Sequence, residues 1–364
     1  MVQYSAIILA AGMSSRMGSY KALLSTGRAS YIRTQISTFY RAGIRDITVV
    51  GGNLIDELKE HLSGLAVHLV FNPAYSTSQM FDSLLIGLNE TEFKDGVFVT
   101  PVDAPLFSEM TVSSLINSDG MISIPVYGGA SGHPVFIPEP LAGELRKHDG
   151  TGGLGGFLSS HRDRIRHVET QDPFILSDTD TPEEYSRMRD EYAGLLEKEL
   201  PKEDQILSFL KECGTPPNVI RHSEKVRENA LMIADALSGR GILLDRRFLS
   251  AVCLLHDLKR TEKDHATEGC AYLKKKGFTK AAEAVRYHHD LPAELTGIIN
   301  ETTVLYIADK MTEEDRTVSV RDRFASKEGT FSDPEAIKAL EHRRDTACSV
   351  MDNINRFAAE TIIE

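Results

Sequence analysis

The sequence predicts two domains of different class: an α/β domain with a mostly parallel sheet over residues 1–195, and an all-α domain over residues 205–364, with a linker at 196–204. Short apolar runs alternate with helical stretches up to about residue 190, as they do where helices cover a parallel sheet. From Arg187 to Lys202 acids and bases crowd together and Pro201 breaks the run; beyond it no stretch alternates as a strand does. At 364 residues the chain also exceeds what one core usually serves.

The composition, 41% hydrophobic and 26% charged, is that of an ordinary globular protein. A formal net charge of -12 argues against an extended nucleic-acid surface, because phosphate backbones attract basic faces. A small basic loop can still hold a single nucleotide. No apolar run is long enough to span a bilayer, and the first lacks the basic region that precedes a signal peptide, so no membrane association is expected. Cys213, Cys253, Cys270 and Cys348 form no C-x-x-C pair and read as reduced thiols of a cytoplasmic protein. Cys253 stands close before His256, but its apolar helical neighbours favour a packed thiol over a metal ligand.

In chain order the expected strands are Ala6–Leu9, Asp46–Val50, Val67–Phe71, Gly96–Val102, Met121–Pro125 and His133–Ile137. Helices are expected near Lys21–Ala42, Ile55–Ser63, Met80–Glu90 and Ser108–Asn117. The first strand is brief, apolar and closed by Gly12. The loop behind it holds Gly12, Ser14, Ser15 and Gly18, with Arg16 and Lys21 among them. Small residues let backbone N–H groups approach an anion, a helix start adds its positive end, and two cations neutralise the remaining phosphate charge. The loop therefore suits a nucleoside triphosphate, although no G-K-[ST] follows and it is not a Walker loop. Asp103 emerges where the Gly96–Val102 strand ends, the place where ligands of such sheets sit. A carboxylate there suits Mg²⁺, a hard cation that shares triphosphate oxygens.

The string L-A-A-G-x-S-x-R-M-G-x-x-K, here Leu9, Ala10, Ala11, Gly12, Ser14, Arg16, Met17, Gly18 and Lys21, resembles the signature of MobA/MocA-type nucleotidyltransferases, which charge molybdopterin with GMP or CMP. The resemblance covers residues 4–190 and implies a Rossmann-like, GT-A-type fold. It implies that Leu9 to Gly12, Ser14, Arg16, Gly18, Lys21, Ser83 and Asp103 bind the nucleotide, with Arg16 and Lys21 on the phosphates and Asp103 on Mg²⁺. Ala104 replaces the polar residue that the family usually carries after that aspartate. SGHPVFIP, from Ser131 to Pro138, resembles the family's acceptor-side G-H-P-V segment; His133 there either binds a phosphate or pins the strand entry. GTGGLGGFLSSH, from Gly150 to His161, resembles its acceptor loop and places Gly152 and Gly153 near the acceptor, with a plain surface loop as the alternative.

ILSDTDTPEEY, from Ile175 to Tyr185, resembles the MocA-type ending and favours CTP over GTP. Asp178 or Asp180 there brings a second carboxylate to the metal, or Asp180 caps the helix that Thr181-Pro182 starts, alone or together with metal binding. STSQMFDSLLIGL, from Ser76, keeps Ser83 and Leu84 of the family's middle loop but lacks its glycines, which leaves base and acceptor selection open to differ. In the resembling family an acceptor phosphate attacks the α-phosphorus and pyrophosphate leaves. Such a displacement needs charge neutralisation and in-line placement more than an acid or a base.

The second half carries His222, the pair His256-Asp257, His265, His288 and Asp309. His222 shares a helical face with Val226, Ile233 and Leu237. His256 and Asp257 end the apolar helix LSAVCLLHDLKR, His288 lies on the face of Ala281, Ala284 and Val285, and Asp309 interrupts VLYIADKM. A lone inward histidine is usually a satisfied core residue, but six such groups point to a metal site, and mixed imidazole and carboxylate ligands suit Mn²⁺, Fe²⁺, Zn²⁺ or Mg²⁺.

The order H…HD…H…H…D resembles the HD-superfamily phosphohydrolases, and DHATEGCAYL with YHHDLP resembles their HDIG-like members. The resemblance carries the minimal ligand set to His222, His256, Asp257 and Asp309, with Asp257 catalytic, and adds His265 and His288 for a second metal. In that family the metals activate a water that attacks phosphorus. Lys259 and Lys310 follow ligand positions, either as phosphate contacts or as solvated helix-end residues. The expected protein is a bifunctional cytoplasmic enzyme that transfers a nucleotide from CTP to molybdopterin and hydrolyses a phosphoester. Its alternative is a nucleotidyltransferase for a sugar, polyol or phosphocholine-like acceptor, with a non-catalytic metal-binding regulatory module behind it.

Overall fold

The apolar run before Gly12 becomes β1 (Tyr4–Ala10), a central strand that pairs in parallel with β2 (Asp46–Gly51) and β4 (Gly96–Pro101). The computed structural model describes residues 3–14, 17–327, 332–358 and 361–364. These form two units, Met1–Ala193 and Gly194–Glu364.

In the first unit β3 (His68–Phe71) lies parallel to β2. The far half of the sheet holds β5 (Ile122–Tyr127), β6 (Ala130–Ser131), β7 (Val135–Pro138) and β8 (Ile165–Glu169). The strand order is β3-β2-β1-β4-β7-β5-β6, with β8 parallel on β5. The β4–β7, β5–β7 and β5–β6 pairs are antiparallel, so the sheet is mixed but mostly parallel around β1. Around it run α1 (Tyr31–Arg41), α2 (Ile55–His61), α3 (Met80–Glu90), α4 (Glu109–Leu115), α5 (Glu139–Leu145), α6 (Gly153–Ser160) and α7 (Pro182–Lys198). Ile7, Val50, Leu84, Leu88, Val97 and Ile137 are fully buried in the core that α3 shares with the sheet. Gly87 lets α3 lie this close: a Cβ there would meet Ile7 Cγ2 at 2.8 Å and Val50 Cγ2 at 2.9 Å.

The helix expected over Lys21–Ala42 is shorter. Lys21–Leu23 is one 3₁₀ turn, Ser25 bridges Ser30, Gly27 takes φ 94°, and α1 starts only where Ser30 caps it by accepting from the Arg33 N–H. The linker expected at 196–204 is mostly helical, since α7 runs to Lys198 and α8 (Glu203–Glu212) follows, leaving residues 199–202 between them.

The second unit continues with α9 (Pro217–Ser238), α10 (Arg246–Leu255), α11 (His265–Lys275), α12 (Thr279–Tyr287) and α13 (Glu301–Lys310). After a two-stranded hairpin, β9 (Thr312–Glu313) and β10 (Arg316–Thr317), come α14 (Val320–Ala325) and α15 (Pro334–Ala358). Val226, Ile233 and Leu237 of α9 are buried with Leu249 and Val252 of α10 and Leu305 and Ile307 of α13. No helix among the described residues is long and apolar enough to cross a membrane.

Candidate functional site

Leu9 pairs with both Val50 and Pro101, so the chain leaves β1, β2 and β4 at one edge of the sheet. Gly52, just past β2, admits the first loop there: a Cβ would lie 2.6 Å from the Ala11 carbonyl oxygen and 2.5 Å from Tyr75 Cβ. The resulting cavity, about 340 Å³, is lined by Leu9, Ala10, Ala11, Gly12, Ser14 and Lys21, with Ser83, Asp103 and Asp180 across from them. Ser14 sits at φ 52°, and its hydroxyl accepts from the Lys21 backbone N–H at 3.1 Å, which offsets the cost of that conformation.

Lys21 Nζ then donates to Asp103 Oδ2 at 2.8 Å and to Asp180 Oδ1 at 2.7 Å. Burial alone would lower the pKa of this lysine, but the two carboxylates outweigh burial and raise it. An ammonium and two carboxylates thus share one focus, and two such carboxylates offer the oxygen ligands that Mg²⁺ prefers.

Each partner is held from behind. Gln35, fully buried on α1, donates from Nε2 to the carbonyls of Pro101 at 2.8 Å and Ala104 at 2.9 Å, which fixes the turn carrying Asp103. The Thr179 N–H donates to the Asp103 carbonyl at 3.2 Å, and Thr179 Oγ1 lies 3.1 Å from the Tyr31 hydroxyl. Asp180 is not the helix cap. Thr181 Oγ1 accepts from the Glu184 N–H, and Glu184 Oε2 accepts from the N–H groups of Asp180 and Thr181, a reciprocal cap made without the Asp180 carboxylate that bonds Lys21. Ser83 is buried and accepts from Asn72 Nδ2 at 2.9 Å, near the α3 N-terminus.

Arg16 lies outside the described residues. Gly18, at φ 66°, His133, Gly152 and Gly153 do not line the cavity. His133 is half-buried, its Nδ1 has no hydrogen-bond partner among the described residues, and burial pushes its pKa down against the opposing charges of Asp103 and Asp178. Gly152 and Gly153 take φ values of 72° and 62° at the start of α6. Gln35, Tyr31, Thr179 and Gly52 were not singled out in the sequence. A glutamine on the apolar face of Tyr31, Ile32, Ile36 and Phe39 is the signal that identifies Gln35.

In the second unit α9, the ends of α10, α12 and α13, and the start of α11 bring all six polar landmarks together. Two sets of groups each place their ligand atoms within 4.8 Å of one another: His222, His256 and Asp257, and Asp257, His265 and His288. His222 Nε2 lies 3.1 Å from Asp309 Oδ1, and His256 Nε2 lies 3.6 Å from Asp257 and 3.7 Å from Asp309. Asp257 Oδ1 is 3.2 Å from His265 Nε2 and 3.4 Å from His288 Nε2, which are 3.3 Å from each other.

Nδ1 of His222, His256 and His288 faces the carbonyls of Glu314, Cys253 and Val285. Carbonyls only accept, so each Nδ1 donates, which leaves Nε2 as the nitrogen that faces inward. His256 Nε2 and Asp257 Oδ1 are buried without a hydrogen-bond partner among the described residues. Lone pairs facing carboxylate oxygens make a donor set that suits a divalent cation.

Burial pushes the His256 pKa down to about 4, so its ring is neutral and ready to ligate. Burial opposes ionisation of Asp257 and Asp309, but the histidines around Asp257, and Lys310 with His222 beside Asp309, hold both well below the usual carboxylate range. His222 is raised: burial alone would lower it, and the bond to Asp309 wins. In the metal-free protein a proton on His222 therefore stands where a cation competes. Arg260 Nη1 is 3.1 Å from His265 Nε2. The cluster opens on a cavity of about 630 Å³ whose lining includes Arg221, Arg260, Arg323, Lys327 and Arg343.

Residues 6–165 match the family model of the MobA-like NTP transferase domain, and residues 219–325 match that of the HD domain. The chain joins a nucleotidyltransferase domain of the MobA-like family to an HD domain. A molybdenum cofactor cytidylyltransferase of Escherichia coli (strain K12) is 26% identical over 195 residues, 52% of this chain and 97% of that protein. A tRNA (cytidine(56)-2'-O)-methyltransferase of Picrophilus torridus is 42% identical over 86 residues; that is 23% of this chain, which spans only 24% of the relative's length. Among solved structures, a nucleotidyl transferase from Methanothermobacter thermautotroptrophicus is 24% identical, covering 53% of this chain and 99% of its own, with a TM-score of 0.47. A CTP:phosphocholine cytidylyltransferase from Streptococcus pneumoniae is 19% identical over 52% of this chain and 99% of its own, with a TM-score of 0.40.

Proposed function

We propose that the first domain transfers a nucleotide from CTP to a phosphorylated acceptor of the molybdopterin type with release of pyrophosphate, and that the HD domain hydrolyses a phosphoester. The observation that carries the first reading is the Lys21 ammonium bonded to both Asp103 and Asp180 where β1 and β4 end. The relatedness to the Escherichia coli cytidylyltransferase along nearly its whole length supports CTP and that acceptor.

Lys21, with Arg16, binds the triphosphate, and the loop from Leu9 to Ser14 packs along it. Gln35 and Thr179 keep Asp103 in place, and the Thr181–Glu184 cap keeps Asp180 there. Mg²⁺ held by Asp103 and Asp180 would supply further neutralisation of the triphosphate charge. The attacking acceptor phosphate is already ionised, so no side chain needs to remove a proton, and the residues act by charge and alignment. His133, Gly152 and Gly153 belong on the acceptor side of this reading.

In the HD domain His222, His256, Asp257 and Asp309 would hold one divalent ion and Asp257, His265 and His288 a second, which would supply a water of lowered pKa. Arginines in the cavity wall, Arg260 and Arg323 among them, would attract the phosphoester beside the acidic Glu313, Glu314 and Asp315. The four free thiols suit a reducing cytoplasm. A pyrophosphate-release screen of NTPs crossed with molybdopterin, sugar phosphate and phosphocholine acceptors, run with Mg²⁺ and with Mn²⁺, tests the transferase. CTP with molybdopterin should give the highest rate, and no release with any pair overturns the reading. Phosphate release from a nucleotide panel, parent against Asp257→Ala, tests the hydrolase.

A further inference from the structure

One buried ammonium touches the ligands of both metal positions in the HD domain. Lys310 ends α13 directly after Asp309, and both residues are only 6% exposed. A lysine in a last helical turn ordinarily lets its stem carry the charge out to water. Here Nζ turns inward, donating to Asp309 Oδ2 at 2.8 Å and to the backbone carbonyl of His288 at 3.1 Å. The first bond engages one carboxylate oxygen and leaves Oδ1 facing His222 and His256. The second ties down the turn that ends α12, from which His288 reaches Asp257.

An ammonium is costly to bury, and its charge repels a neighbouring metal ion, so neither burial nor attraction for the cation explains its place. What it supplies is geometry: a fixed link between Asp309, a ligand of the first position, and His288, a ligand of the second.

We propose that Lys310 is a positioning residue of the metal centre, which makes Asp309 a one-oxygen ligand through Oδ1 and sets His288 at the spacing that lets Asp257 serve both positions. The proposal rests on the metal-binding reading of the HD domain. It is tested on the full chain with Mn²⁺ as the probe, by equilibrium binding and electron paramagnetic resonance, in the parent, Lys310→Met and Lys310→Arg. The parent should load two Mn²⁺ with an exchange-coupled spectrum. Lys310→Met should bind about 10–100-fold more weakly, the usual cost of losing a group that orients a metal ligand, and show isolated six-line signals. Lys310→Arg, which keeps charge and N–H donors, should recover the coupled spectrum. A Lys310→Met chain with parental affinity and spectrum overturns the proposal, whether or not its metal-free melting temperature falls. A parent that takes up no Mn²⁺ overturns the metal reading itself and the proposal with it.

Discussion

Replacing Lys21 by methionine removes the ammonium that Asp103 and Asp180 share while keeping most of the stem's volume. Two carboxylate oxygens bonded to one nitrogen at 2.8 and 2.7 Å lie at most the sum of the two, about 5.5 Å, apart, and at an effective dielectric near 20 they repel by about 3 kcal/mol. The side chains of Asp103 and Asp180 are 20% and 39% exposed, so water screens the pair and a net loss of about 1 kcal/mol is expected. For a unit of this size that lowers the melting temperature by about 2–4 °C. Catalysis should suffer far more, because a preorganised charge aimed at the phosphates is worth about 10²–10³ in rate.

The variant should therefore melt as a folded protein yet lose about that factor in kcat/KM for pyrophosphate release from CTP. Millimolar Mg²⁺ should return part of the lost melting temperature, because a cation then replaces the ammonium between the two carboxylates. Scanning fluorimetry with and without Mg²⁺, beside a coupled pyrophosphate assay, reads both effects. A kcat/KM equal to the parent's refutes the role of Lys21, and a rate loss matched by unfolding refutes the separation of charge from stability.

Other positions give sharper structural tests. Gly52→Ala forces a Cβ against the Ala11 carbonyl and Tyr75; it should cost about 1–3 kcal/mol in a denaturant melt and weaken CTP binding by calorimetry. Thr181→Ala removes the cap of α7 and should cost about 1 kcal/mol, with a higher Mg²⁺ requirement for transfer as Asp180 loosens. In the HD domain Asp257 belongs to both ligand sets whereas His265 belongs to one. Metal analysis should find Asp257→Ala empty and His265→Ala loaded with half the parental metal; equal losses in the two variants contradict a shared ligand.

Most of the first domain was legible because its strands are brief apolar runs with clear ends: β1, β2 and β4 lie within a residue or two of their expected places. β6 and β8 were not. Ala130–Ser131 is too short to pattern, and Ile165–Glu169 mixes charges with apolar residues along a strand that is only half buried. The overlong first helix hid a turn that Gly27 and the Ser30 cap make visible only in hindsight. Helical phase put His222 and His288 on apolar faces, and apolar runs marked His256, Asp257 and Asp309, whereas His265 came from the motif resemblance alone. Helical phase could not locate what lies behind them. Lys310 read as a phosphate contact or a solvated helix end, since its partner on His288 comes from the end of another helix. Gln35 and Thr179 act through backbone carbonyls that no residue pattern announces.

The central claim is that one chain carries two chemically separate centres. The most direct measurement compares Asp103→Ala and Asp257→Ala, each assayed for pyrophosphate release from CTP with acceptor and for bound Mn²⁺ at the HD centre. Asp103→Ala should abolish release and keep the Mn²⁺, and Asp257→Ala should keep release and lose the Mn²⁺. Pyrophosphate release that survives in Asp103→Ala, or disappears in Asp257→Ala, contradicts the account.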